Sequence, residues 1–152
     1  MSTHGSFTII LSESGDKFLL VKRRDFPFWD LPGGRKEKHE SDIECAIREV
    51  KEETGLEIRI LNKIGQYERP FYYDIQNLFF GEITGGELIN TGPETAELRW
   101  FIPKKLPMLM VPNRRMQINH FISGQKNLTV TINDSKLIFR ISRTLKRRRK
   151  LT

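Results

Sequence analysis

The stretch that most constrains this 152-residue chain is Gly34–Leu56, GRKEKHESDIECAIREVKEETGL. Ser41, with Glu44 three residues on, makes a capping box, in which two side chains satisfy amide donors at a helix start. Gly55 closes the pattern as the residue just past a helix end. An α-helix between them turns roughly 100° per residue. That places Ile43, Ala46, Ile47 and Val50 on one side. Glu49, Glu52 and Glu53 fall on another, centred roughly 130° away. The pattern therefore predicts one face packed on a core and one face of three carboxylates. Carboxylates this close repel one another, so an isolated helix gains nothing from them. A hard divalent cation removes the penalty, and oxygen ligands suit Mg²⁺ or Mn²⁺. Spacing alone leaves a second reading open, in which the acidic face is solvated and screened by Arg48 and Lys51.

The same residues read G-x5-E-x7-R-E-V-x-E-E-x-G-L, with fixed points at Gly34, Glu40, Arg48, Glu49, Val50, Glu52, Glu53, Gly55 and Leu56. This resembles the box of the Nudix hydrolases, MutT-like enzymes, and departs from it at no defining position. The preceding Trp29-Asp30-Leu31-Pro32-Gly33-Gly34 resembles the usual lead into that box. The resemblance extends over about residues 5–125. It implies metal-binding roles for Glu49, Glu52 and Glu53, and a metal-shell carbonyl at Gly33. It implies that Arg48 and Glu40 orient the carboxylates, that Val50 and Leu56 are apolar anchors, and that Gly34 and Gly55 are structural in the motif. Downstream, Glu94-Thr95-Ala96-Glu97-Leu98-Arg99-Trp100 resembles the E-x-x-E-x-R-W segment of related enzymes. There a glutamate binds metal or acts as base. Glu94, Glu97 and Glu52 are thus competing candidates for the base, with Glu94 favoured for its place in a turn.

The activity implied is metal-dependent hydrolysis of a phosphoanhydride bond in a nucleotide or a nucleoside diphosphate linked to another group, with Mg²⁺ as cofactor and Mn²⁺ as substitute. The chemistry needs cations to neutralise the diphosphate and a carboxylate to activate water. Arg23, Arg24 and Arg99 are candidates to hold phosphate oxygens, with plain surface placement the alternative. Phe26, Phe28 and Trp29 are candidates to stack on a base, with capping of the core the plainer reading. Pro70, Tyr72 and Tyr73 name no substrate.

Length and composition fit one soluble domain with a real core. No apolar run approaches the roughly 20 residues that span a bilayer. The first ten residues lack the features of a secretory signal. Cys45 stands alone, so a reducing cytoplasm and no membrane partner are expected. Lys and Arg number 26 against 19 Asp and Glu. Eight of the basic residues lie from Lys136 onward, where no acid occurs, which leaves 18 against 19 before it. The charge therefore belongs to the C-terminus. We expect a single domain over 1–144 and a flexible basic tail over 145–152. The tail makes an RNA 5′-end pyrophosphohydrolase the first alternative; a catalytically weak nucleotide-binding module is the second, though its mark would be an eroded box. Oligomeric state stays open, a homodimer included.

Along the chain, Phe7–Leu11 and Phe18–Lys22 flank the turn SESGD and predict a hairpin. Glu57–Tyr67 reads as a bulged strand, Tyr72–Ile83 as a second, and Leu98–Ile102 as a third. Pro112–Ser123 predicts a second helix built on Met116, Ile118 and Phe121. Leu128–Ile132 and Lys136–Ile141 flank Asn133-Asp134-Ser135 and predict a terminal hairpin. Strands mixed with two helices indicate an α+β layered domain. The resemblance specifies it as the Nudix fold, an α/β/α sandwich around a mixed sheet, here with an extra C-terminal β-hairpin.

Overall fold

The structure is a computed structural model that describes residues 1–134. Its elements are β1 (Thr3–Ile10), β2 (Phe18–Arg23), β3 (Trp29–Asp30), β4 (Gly33–Arg35), α1 (Asp42–Thr54), β5 (Leu56–Arg69), β6 (Asp74–Gly86), β7 (Thr95–Phe101), α2 (Arg114–Ile122) and β8 (Leu128–Thr131). Single 3₁₀ turns lie at Pro70–Tyr72 and Pro103–Lys105. A five-stranded sheet has the order β4-β1-β6-β5-β8, and a three-stranded sheet the order β3-β2-β7. The larger sheet is mixed, because β1 runs parallel to β6 and β5 parallel to β8 while the other pairs are antiparallel.

Side chains alternate across β1, and this sets the layers. Ile10 joins Leu19, Val50, Leu56 and Ile58 in the core beneath α1. Phe7 and Ile9 point the other way, into the larger core that takes Ile118 of α2. The two helices thus lie in separate apolar clusters on either side of a central sheet, the α/β/α sandwich expected.

The hairpin expected between β1 and β2 forms only at its turn. Ser12 donates its N–H to the Lys17 carbonyl at 2.9 Å, and Leu11 bridges Phe18. The strands then part into different sheets. Both edges of β1 are already occupied, by β4 and β6, so β2 has no edge to pair with there and takes β3 and β7 instead. The bulged strand is present as β5, with three register shifts against β6. Tyr72 falls in the 3₁₀ turn before β6 instead of within the strand. The second helix is shorter than predicted and begins after Asn113, which has φ 73°. Of the C-terminal hairpin, the first arm is β8; the second arm, Lys136–Ile141, and the basic tail lie outside the described residues.

Helix α1 has the ends that its sequence predicts. Ser41 accepts from the Glu44 N–H at 3.1 Å, the Glu44 carboxylate accepts from the Ser41 N–H at 2.6 Å, and Gly55 adopts the left-handed conformation at the C-terminus. Its rotation differs from the prediction. Ile43 and Ile47 are 47% and 37% exposed, while Cys45, Ala46, Glu49, Val50 and Thr54 are buried. The buried positions recur at i, i+1, i+4, i+5 and i+9, so the inward stripe includes the carboxylate of Glu49. Small Cys45 and Ala46 let the helix lie close to β4, and that approach is available only with Ile43 and Ile47 turned outward. Replacing Ser41 with Ala removes one cap bond. It is expected to lower the unfolding free energy by about 1 kcal/mol, read from the urea midpoint at constant m.

Candidate active site

The site is built where β4 passes under α1. A Cβ on Gly34 would lie 2.5 Å from Oε1 of Glu49 and 2.6 Å from its carboxyl carbon. The absence of that atom is what admits the carboxylate. Glu49 is 7% exposed, and its pKa is raised: burial pushes it up, and the neighbouring Arg48 only partly offsets this. One turn further on, the Glu53 carboxylate accepts the Gly33 N–H at 3.1 Å. Burial pushes the Glu53 carboxyl up to about 9, against the lowering effect of that hydrogen bond, with Glu49, Asp30 and Glu94 adding repulsion.

The third carboxylate comes from the loop before β7. Thr95 donates its hydroxyl to the Glu53 carbonyl at 2.9 Å, tying the start of β7 to the last turn of α1. Arg24 donates its N–H to the Glu94 carbonyl at 3.2 Å, and its Nε to the Gly92 carbonyl at 2.6 Å. Glu94 is thereby held beside the helix. One carboxylate oxygen from each of Glu49, Glu53 and Glu94 lies within 4.8 Å of the others. Three converging carboxylates, two of them raised in pKa first by burial, form an oxygen-only donor set. That chemistry fits a hard divalent cation and no soft metal.

Arg48 organises the outer side of the group. It grips Glu40 with two bonds, Nε to Oε2 at 2.9 Å and Nη2 to Oε1 at 2.7 Å. Its Nη1 reaches Glu49 at 3.1 Å and Glu52 at 3.2 Å, and its Nη2 also donates to the Arg35 carbonyl at 3.0 Å. The guanidinium holds the Glu40 carboxyl down to about 2, helped by the Glu37 N–H, while its own pKa is raised, first by Glu40.

Not every residue singled out in the sequence meets here. Glu52 is 56% exposed, held by Arg48, and outside the trio. Glu97 lies within β7, paired with Arg99 and also outside it. Gly33 meets Glu53 through its amide. Arg24 serves the turn that carries Glu94. Arg99 lies over Trp29, 5.4 Å from the ring. Trp29, a candidate to stack on a base, is 7% exposed and sits in the core, edge-on to Phe101 at 4.9 Å. The reason is local: its N–H and carbonyl are both bonded to the Leu109–Val111 segment, which folds over it. Sequence reasoning missed the buried pair of Asp30 and Arg114. The only signal was an acid at the variable position of W-x-L-P-G-G; nothing marks Arg114.

The depressed pKa of Glu40 has a sign. Its stabilising contribution is fully present above the unfolded value near 4.5 and is lost as pH falls toward about 2. Glu40→Gln should therefore flatten the decline in unfolding free energy over that window while leaving its shape above pH 5 unchanged, measured by denaturant titration at successive pH values.

Comparison with known proteins fits this geometry. A NUDIX domain model matches residues 2–121. A Bacillus subtilis protein named "Putative 8-oxo-dGTP diphosphatase" is 52% identical over 148 residues, covering 97% of this chain and 98% of its own. The "NAD-capped RNA hydrolase NudC" of Pseudomonas aeruginosa is 33% identical over 120 residues, 75% of this chain but 41% of that protein. Among solved structures, a Nudix hydrolase from Nitrosomonas europaea superposes with a TM-score of 0.76 over 88% of this chain and 80% of its own, at 23% identity, and so shares the fold. The chain belongs to the Nudix family and is a pyrophosphohydrolase of the Nudix type.

Proposed function

We propose that the chain hydrolyses a phosphoanhydride bond of a nucleoside triphosphate or a nucleoside diphosphate linked to another group, with Mg²⁺, or Mn²⁺ in its place, held by Glu49, Glu53 and Glu94. The observation that carries this is the convergence of those three carboxylates over the Gly33–Gly34 backbone. A bound cation would neutralise diphosphate oxygens and sharpen the acidity of water. The remaining work belongs to the side chains. Glu49, buried, and Glu53, half-buried, are fixed on one helix and offer their oxygens at constant position. Glu94 is the exposed member of the trio and comes from a loop, so it is the one to take the proton from the attacking water. Glu52 stays outside with Arg48 and keeps the guanidinium aligned. Arg48 and Glu40 hold the carboxylates in register without touching substrate.

For substrate, the support is the Bacillus subtilis relative, matched over nearly its whole length. It favours an oxidised guanine nucleoside triphosphate. The match to the RNA-cap hydrolase is confined to a part of that protein, so RNA ends are the second reading. A panel of 8-oxo-dGTP, ADP-ribose and 5′-triphosphorylated RNA, run with Mg²⁺ and with chelator, separates them. The triphosphate should turn over fastest and only with metal. Hydrolysis that persists in chelator would refute the metal-dependent reading.

Three variants test the roles. Glu94→Gln should lower kcat about 10²–10⁴-fold, the range for a lost acid–base group, while Glu52→Gln should cost far less; the reverse order would move the base to Glu52. Arg48→Ala should weaken Mn²⁺ binding about 10–100-fold, as the loss of a residue that orients ligands does. A titration giving the wild-type affinity would remove Arg48 from that role.

A further inference from the structure

Arg114 lies on α2, outside every motif in the sequence, and is 1% exposed. Its Nε donates to Oδ1 of Asp30, and its Nη1 donates to Gln76 and to Gln117, each at 2.8 Å. The guanidinium carbon stands 3.7 Å from the centre of the Phe7 ring. A buried arginine held this fully needs a reason, because desolvating a charge is costly and such a pair is weak evidence for stability.

Two lines of contact lead from it to the same atom. Along the chain, the Asp30 carboxylate that accepts from Arg114 also accepts the Leu31 N–H at 2.8 Å. Pro32 then accepts from the Thr8 N–H at 2.9 Å, and Gly33 follows, donating its N–H to Glu53. Across the sheet, Phe7 faces Gly33 in the β1–β4 ladder. A Cβ on Gly33 would collide with the Phe7 ring and the Ser6 carbonyl. So the ring on which Arg114 rests is also the ring against which Gly33 is seated.

We propose that Arg114 and Asp30 are positioning residues: α2, through this buried pair, fixes the direction of the Gly33 N–H and with it the Glu53 carboxylate in the cation site. Arg114 touches neither substrate nor cation and acts through Asp30, Phe7 and Gly33. The inference rests on the reading of Glu53 as a cation ligand. It makes α2 part of the catalytic architecture, although the helix contributes no ligand.

The test uses Arg114→Met combined with Asp30→Asn, which removes both charges together and keeps an acceptor for the Leu31 N–H. Arg114→Lys keeps the charge and loses the second donor arm. Ile118→Ala, which opens a cavity in the larger core under α2 but leaves both charges in place, is the control for general destabilisation. Mn²⁺ binding to resting protein, read by the paramagnetic resonance of free ion, should weaken about 10–100-fold in the double variant. Arg114→Lys should lie between, and Ile118→Ala should bind as wild type does. In metal-free protein the Gly33 amide proton should shift and exchange faster in the double variant only. In turnover, kcat should fall with KM held within about threefold, since substrate contacts are untouched. Wild-type Mn²⁺ affinity and an unmoved Gly33 amide in the double variant would overturn the proposal, as would an equal loss of affinity in Ile118→Ala. If wild-type protein itself binds no Mn²⁺, the functional reading fails first, which is a separate outcome from the variants matching a wild type that does bind it.

Discussion

The close passage of α1 over the backbone of β4 is the contact from which the rest of the structure follows. It occurs at Gly34, where a single missing carbon leaves room for the Glu49 carboxylate. Burying a carboxylate so near a strand is unfavourable by itself. The chain makes it tolerable with Arg48 on one side and with the Gly33 amide on Glu53 one turn away. The result is a negative site with a built-in need for positive charge. The need is structural before it is catalytic, because the helix cannot back away without opening the apolar cluster of Ile10, Leu19, Val50, Leu56 and Ile58 beneath it.

Arg48 shows how one side chain can divide its donors between duties. Two of its bonds bind Glu40, and others reach Glu49, Glu52 and the Arg35 carbonyl. Lysine, a point charge with no planar fork, could not span these partners. The end of β4, the loop after it and the second half of α1 are therefore joined through a single guanidinium. Glu40, which precedes the helix, becomes as much a part of the site's frame as the residues on it.

Local features of this fold were legible in the sequence because they depend on neighbours in the chain. Ser41 with Glu44, and Gly55, set the ends of α1 through bonds that span three or four residues. The box itself placed the carboxylates on one helix. What depends on distant partners was not legible. Ala46 and Val50 face inward as expected, but nothing near Ile43 or Ile47 says that Cys45 and Glu49 will replace them in that stripe. Whether Trp29 stacks on a base or caps the core is decided by the distant Leu109–Val111 segment, which covers it. The parting of β1 from β2 follows from β6, some 70 residues away in the ladder. The turn that favours Glu94 over Glu97 is legible in sequence; the tie of Thr95 to Glu53, which brings that turn beside the helix, is not. Arg114 and Asp30 are 84 residues apart, and no local pattern reports such a pair.

The last described strand has a bearing on the edge of the larger sheet. The family match ends at residue 121, yet β8 lies beyond it, paired with Gly65–Glu68 of β5. Ile132 follows, bonded through its N–H to the Glu68 carbonyl and buried in the larger core, and Asp134 grips Arg69 with two bonds of 2.9 and 3.0 Å. Without this segment, the Gly65–Glu68 stretch of β5 would present unpaired amides and carbonyls beside an open apolar seam, the kind of edge to which an added strand pairs. The residues after the family's shared sequence thus seal one stretch of β5 and close the larger core over it. A chain cut at residue 121 would keep Glu49, Glu53 and Glu94 in place and leave that seam open to water.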